Sequence, residues 1–447
     1  MGGTTDPITE PPVVTVPVGP SFLDAIDWGT RLATQDVKVY FAGNGEVIGG
    51  KTSVGWTGYE QQQAMLAFQQ FANVADLHFT ITQDLAAADL KLVTRQSAGF
   101  LGEFNPPGTR NAGLGVFNHT GTGWDYDRPG TGGLEQGGYG FITLIHEFGH
   151  AMGLAHPHDT GGTSTIWQGV TRATGKLGSF DLSQGIFSTM TYNDGWQTDP
   201  DGRNNNHDYG WQGTMMGFDV AVLQQKYGAN TTFAHGDDGY SLSDANQSGS
   251  FWSCIWDTGG TDQISYDGNR SATIDLRAAD LGFDVGSGGF VSYAKGIFGG
   301  FTIAAGVVIE NASGGAGKDA ITGNDAANRL CGGSGADVLT GGAGADIFVY
   351  TALADSGPAR GHWDTITDLS PADKVDLSAV DAMAHNTDND AFVWIDRTHF
   401  HHKAGELRWQ NSTSGVMVLA DIDGDGTADF KLLLLHADSV VAGDFDL

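Results

Sequence analysis

The apolar residues of this chain change rhythm about halfway along, and that change predicts two domains of different kind. In the first half Val37 to Phe41 reads as a strand. Ala64, Met65, Phe68, Phe71 and Ala72 then recur at helical spacing within 59–75, a stretch free of glycine and proline. Leu77 to Ile81 and Asp89 to Val93 predict further strands, a glycine-rich loop fills 129–140, and Phe141 to Met152 predicts a second helix. Phe218 to Tyr227 predicts a third, with Gly228 placed to stop it. Beyond Ala229 the pattern becomes short apolar runs separated by Gly, Asp and Asn, which predicts an all-β region from about residue 235. The expected class is α+β, a mixed domain over 21–234 followed by an all-β domain over 235–447. Residues 1–20, where Pro11, Pro12, Pro17 and Pro20 interrupt the valines, read as a flexible leader or propeptide.

Within the β half a nine-residue unit runs in tandem over 314–322, 323–331, 332–340 and 341–349. Its sixth position is Asp319, Asn328, Asp337 or Asp346, and its eighth is Ile321, Leu330, Leu339 or Phe348. Glycines allow tight turns that expose carbonyl oxygens, the carboxylates reach a shared cation, and the apolar residue points inward to form a narrow core. A flexible glycine linker has no reason to place an apolar residue at every ninth position. The second copy departs from the others, with Asn324 and Ala326 where glycines are expected, so a cation site using that turn is weakened or lost.

Charge sharpens this picture. The 447 residues carry 53 acidic against 22 basic side chains, a formal charge of -31, which repels nucleic acid and anionic membranes and favours cations. Only Cys254 and Cys331 are present, so a disulfide framework is excluded; two unpaired thiols are expected, with a single bridge as the alternative. No basic segment precedes the N-terminal valines and no apolar run approaches the roughly 20 residues of a spanning helix, so neither a signal peptide nor membrane insertion is expected.

The densest chemistry lies on the second predicted helix. His146 and His150, four residues apart, project from one face and can grip one metal, with Glu147 beside them. Gly153 stands where the helix must end and the chain turn back, bringing His156 as a third ligand. Three histidines suit a zinc ion with one open position, where a bound water is acidified and Glu147 can take its proton. Helix-surface histidines, or a structural zinc closed by His158, are the competing readings.

His146 to Pro157, together with Ser188-Thr189-Met190-Thr191-Tyr192, resembles the metzincins, and specifically the serralysin family of bacterial proteases, along nearly the whole chain. The resemblance implies a metzincin-type catalytic domain, an apolar floor for zinc from Met190, and Tyr192 as a reversible zinc ligand that turns to the oxyanion during catalysis. It also implies an extended peptide substrate added to an edge strand, for which Ala88 to Val93 is the matching candidate. Here His158-Asp159 and Asn193, the latter where tryptophan is common, depart from the family pattern.

The tandem units resemble repeats-in-toxin motifs, implying a parallel β-roll that binds several structural calcium ions. Ligands implied are Gly314, Gly315, Gly317 and Asp319 of the first copy, Gly332, Gly333, Gly335 and Asp337 of the third, and Gly341, Gly342, Gly344 and Asp346 of the fourth. Further family likenesses point to Asp257, Gly259, Gly260, Asp262, Val308 and Glu310, and to a first loop with Ala234, Gly236 and Asp238, where Asp238 replaces the usual threonine. The resemblance further implies a monomer acting on proteins or peptides outside a Gram-negative cell. It would leave through a type I secretion exporter that reads a C-terminal signal, which Asp444 to Leu447 fits only in part. Calcium outside cells would fold the acidic roll after export. A calcium-dependent adhesive protein with an inactive protease half, and a zinc hydrolase of non-peptide substrates, are the alternatives. Asp421-x-Asp423-x-Asp425 matches half an EF-hand loop, but Leu432 stands where its glutamate should be, so a β-turn is expected; His399, His401 and His402 receive no role.

Overall fold

A computed structural model describes residues 9–15, 22–96, 99–383 and 389–447. The first half is built on strands β1 (Val13–Thr15), β2 (Thr30–Leu32), β3 (Asp36–Phe41), β4 (Val47–Ile48), β5 (Lys51–Thr52), β6 (His78–Ile81), β7 (Leu90–Arg95), β8 (Gly102–Phe104) and β9 (Leu114–Asn118). Its helices are α1 (Gly58–Val74), α2 (Tyr139–Ala151) and α3 (Gly217–Tyr227). The main sheet has the order β6-β3-β7-β9-β8, with β8 alone antiparallel to its neighbour.

Thr57 and Glu60 close a reciprocal capping box that starts α1, and the buried Glu60 also accepts the Trp124 indole N–H at 2.7 Å. The apolar stripe of α1 packs on α2 and the sheet, where Phe68 stacks on Phe148 with ring centroids 3.8 Å apart and on Phe79 at 4.6 Å.

Two expectations are corrected here. Ala88 to Val93 does not form an edge, because β7 pairs on one side with β3 and on the other with β9. The sheet's edges are β6 and β8. Nor is the N-terminus free throughout: β1 pairs antiparallel with β2, the Lys91 ammonium donates to the Thr9 carbonyl, and the Glu10 carboxylate accepts the Asn111 amide. The rest of the expected leader, 1–8 and 16–20, lies outside the described residues.

The second half is a roll of two facing sheets. One is wholly parallel and includes Asn311–Ser313, Arg329–Cys331, Ile347–Val349 and Lys374–Asp376; the other runs parallel through Ala320–Thr322, Val338–Thr340 and Asp364–Ile366, then turns antiparallel near its end. Successive nonapeptides alternate between the sheets, so units 18 residues apart become neighbours: Ile321 pairs with Leu339 and Leu330 with Phe348. All four side chains are fully buried between the sheets, as the repeat required. Cys254 and Cys331 are free thiols. Among the described residues no helix is long and apolar enough to cross a membrane.

Candidate metal centres

The turn after α2 explains how the third histidine returns. Gly153 adopts φ +87°, and a side chain there would meet the Thr30 carbonyl at 2.1 Å, so glycine is needed both for the backbone conformation and for the close approach. The chain then pairs at Leu154 with Asp27, and His156 faces the helix.

His156 Nε2 lies 3.1 Å from His146 Nε2 and 3.0 Å from His150 Nε2. The opposite nitrogens are all engaged: His146 Nδ1 donates to the Thr189 carbonyl at 2.8 Å, His150 Nδ1 to the Leu154 carbonyl at 3.0 Å, and His156 Nδ1 meets the Asp159 carboxylate at 3.1 Å. Carbonyl acceptors fix the proton on Nδ1, so the Nε2 lone pairs point at one another. Burial holds all three imidazoles well below their usual range, and mutual repulsion among the rings adds to it for His150 and His156. Three neutral donors converging in this way, His150 buried and His146 and His156 half-buried, leave a gap suited to a cation.

Glu147 is buried beside them, its carboxyl pushed up to about 8, first by burial and then by the charge of Glu103. Gly102 of β8 passes so close that a side chain there would meet Glu147 Cγ at 2.5 Å. Met190 is fully buried under α2, and an added carbon on Gly149 would meet its sulfur at 2.5 Å. The Tyr192 ring stands 4.7 Å from that of His156 and 5.5 Å from that of His146. His158 fills the remaining side, stacked on His156 at 4.8 Å and against Tyr192 at 4.6 Å. A cleft of about 430 Å³ opens from this group between α2, the 99–102 segment and the chain after Tyr192.

Several supporting residues are given no structural role by the sequence alone. Asp219, buried at the start of α3, accepts Ser188 Oγ and the Thr189 amide, both at 2.7 Å, and the Met216 amide at 3.1 Å. It therefore ties α3 to the turn that carries Met190. Asn193 pins the lip of the cleft, accepting the Gly175 amide and donating to the Lys176 and Ser183 carbonyls. Asp194 lines the cleft itself.

In the roll, the sixth-position carboxylates form ladders. Asp319 N–H donates to Asp337 Oδ1 at 2.9 Å, Asp337 N–H to Asp364 Oδ1 at 2.8 Å, Asn328 N–H to Asp346 Oδ1 at 2.8 Å and Asp346 N–H to Asp373 Oδ1 at 2.9 Å. Their other oxygens are the telling atoms: Oδ2 of Asp337, Asp346 and Asp364 is buried without a hydrogen-bond partner. The glycines let turns stack, since side chains at Gly333, Gly335, Gly342 and Gly344 would strike the carbonyls of Gly315, Gly317, Asn324 and Ala326. Gly314, Gly315 and Gly317 likewise face the carbonyls of Gly332, Gly268 and Arg270, while Gly332 and Gly341 fit against the carboxylates of Asp337 and Asp346. Unpartnered carboxylate oxygens beside rows of carbonyls form a donor set suited to calcium. The second copy is different. Asn328 Nδ2 donates to Asn324 Oδ1 and the Glu310 carbonyl, so its amide satisfies that turn internally. Asp364 and Asp373 extend the ladders without the Gly-Gly-x-Gly run of the repeat before them, and the signal that finds them is the half-unit Asp-x-apolar in Asp364-Thr365-Ile366 and Asp373-Lys374-Val375.

A further cluster joins Asp238, Asp257 and Asp262, whose ligating oxygens lie within 4.8 Å of one another. Asp262 Oδ2 is buried and unpartnered, its N–H donates to Glu310, and Gly260 passes against the Gly236 carbonyl, while Gly259 N–H donates to Asp257. The Ala234 carbonyl already accepts the Thr258 amide at 2.9 Å, and the Val308 side chain is exposed. Asp421, Asp423 and Asp425 also lie close together, but each accepts an amide of its own hairpin turn, as expected of a β-turn. His401 pairs with Glu406 at 2.8 Å.

Residues 223–445 match the family model described as Peptidase M10 serralysin C terminal. The chain is 32% identical over 414 residues to metalloprotease AprA of Pseudomonas entomophila, an alignment that covers 83% of this chain and 76% of that protein. The chain belongs to the serralysin family. Serralysin C of Dickeya chrysanthemi is 34% identical over 406 residues, again covering 83% of this chain and 76% of the relative. Among solved structures, the AlgE6R2 subunit of the Azotobacter vinelandii mannuronan C5-epimerase overlaps 30% of this serralysin-family chain and 78% of its own at 25% identity, with a TM-score of 0.22.

Proposed function

We propose that this serralysin-family chain is a secreted zinc-dependent endopeptidase whose roll is folded by calcium outside the cell. The observation that supports it above the others is the convergence of the His146, His150 and His156 Nε2 lone pairs, each oriented by an acceptor on the far nitrogen. His146, His150 and His156 would hold zinc, with Tyr192 at the edge of the site. When bound, zinc polarises a carbonyl and acidifies water. Glu147, with its affinity for protons raised by burial, takes the proton of the attacking water and returns it to the leaving amine. Tyr192 turns its hydroxyl toward the developing oxyanion. The substrate runs extended along β8, the edge strand beside Glu147, and adds its backbone to the sheet there.

Calcium would lie between turns of the roll, held by Asp319, Asp337, Asp364, Asp346 and Asp373 with glycine carbonyls, and in the cluster of Asp238, Asp257, Asp262 and Glu310. Millimolar calcium outside the cell would saturate such sites, joining folding to export through a type I exporter of a Gram-negative bacterium. An intact Glu147 argues against an adhesive protein with a dead protease half. The deciding experiment is hydrolysis of casein by the zinc- and calcium-loaded protein. Activity should vanish in Glu147→Gln while bound zinc, measured by metal analysis, stays at one equivalent. Undiminished hydrolysis by that variant would remove the proposal.

A further inference from the structure

The cleft beside the three histidines contains a charge for which the proposed chemistry has no use. Asp194 lines it, half-buried, two residues beyond Tyr192. The Tyr139 hydroxyl donates to its Oδ2 at 3.0 Å, and Tyr139 is itself held edge-on against Trp211. Among the described residues no group donates to Asp194 Oδ1, and no lysine or arginine forms an ion pair with this carboxylate; Arg203, which lines the adjoining hollow with it, is among those that do not. Its free oxygen can therefore accept a cationic group that enters the cleft.

The wall leading to it suits one kind of side chain. Tyr139, Ile142, Thr143 and His146 lie on one face of α2, and the rise from Tyr139 to His146 is roughly 10 Å along the helix. That is the depth an extended lysine or arginine can fill, with its methylenes along Ile142 and Leu101 and its charge at the far end. An acidic side chain would meet the Asp194 carboxylate, and a short apolar one would leave it without a cation.

We propose that Asp194 is a specificity residue that selects arginine or lysine next to the cleaved bond, pairing with the cationic side chain that enters this cleft. The inference rests on the endopeptidase reading. Its test is digestion of a peptide library by the zinc- and calcium-loaded full chain, with cut sites read by mass spectrometry, followed by kinetics on a matched pair of peptides with arginine or leucine at the selected position. Arginine and lysine should be enriched at one of the two residues flanking the cut. In Asp194→Asn the ratio of kcat/KM for the arginine peptide over the leucine peptide should fall about tenfold or more. Asp194→Lys should turn the preference toward glutamate and aspartate, and thermal melts of both variants identify any loss of fold. Cleavage without enrichment of cationic residues overturns the inference alone, as does an unchanged ratio in a folded Asp194→Asn. Failure of the wild-type chain to cut any peptide overturns the endopeptidase reading and this inference with it.

Discussion

The Thr189 carbonyl accepts the His146 Nδ1 proton at 2.8 Å while the Thr189 amide donates to Asp219 at 2.7 Å, so one peptide segment couples a histidine of the triad to the start of α3. Replacing Asp219 by alanine strands the Thr189 and Met216 amides in the interior. The expected cost is about 3 kcal/mol of stability, with zinc affinity weakened about tenfold or more. Denaturant melts and competition with a chromogenic chelator measure the two effects, and unchanged affinity would show that the turn holds itself.

Gly102 allows β8 to pass Glu147 at a distance no side chain permits. Gly102→Ala should displace the Glu147 carboxylate and lower kcat by about a hundredfold, because a shift of about 1 Å at a reacting group has that effect. Zinc content should be unchanged, since the atoms nearest an added side chain at Gly102 all belong to Glu147. A full-strength kcat in the variant would show that Glu147 has room to spare.

The roll should respond to pH in the direction opposite to ordinary acid denaturation when calcium is removed. Burial, and then neighbouring carboxylates, push Asp337 up to about 8 and Asp346 up to about 6; burial pushes Asp364 up to about 7. An unfolded aspartate titrates near about 3.9. Groups raised in the fold bind protons on folding, so their contribution is complete below about pH 4 and is lost as pH rises to about 8. In a calcium chelator the roll should therefore melt at a lower temperature at pH 8 than at pH 5. Added calcium should remove most of that difference, as circular dichroism melts at the two pH values will show.

Gly335 has φ +158°, and a side chain there would stand 1.9 Å from the Gly317 carbonyl. Gly335→Ala should force adjacent turns apart and shift the calcium midpoint of folding upward by about tenfold or more. The same substitution at the exposed Gly361, where nothing lies within 4 Å, should do much less in spite of its φ of +80°. A calcium titration followed by circular dichroism compares the two.

What was legible in the sequence is what periodicity controls. His146 and His150 were found because a helix places them on one face, and Ile321, Leu330, Leu339 and Phe348 because a nine-residue turn places each inside. The strand expected over Asp89 to Val93 forms as Leu90–Arg95, but its position in the sheet was not legible. That depends on Leu114–Asn118, whose five buried residues show no alternation and which pairs with it from a distance in sequence. Asp219 and Asp194 act through partners 30 and 55 residues away, Thr189 and Tyr139, which no local pattern records. Asp364 and Asp373 escaped for a different reason: the repeat is recognised by its Gly-Gly-x-Gly run, and these two aspartates keep the ladder without that run.

The ladders have a direction. Each turn's amide is satisfied by a carboxylate 18 or 27 residues further on, never by one already passed. A ribosome lays down the amide before the group that will lock it, so a nascent roll stays open until its later portion exists. Until then the chain is a loose thread, and the molecule tightens backwards along its own order of synthesis.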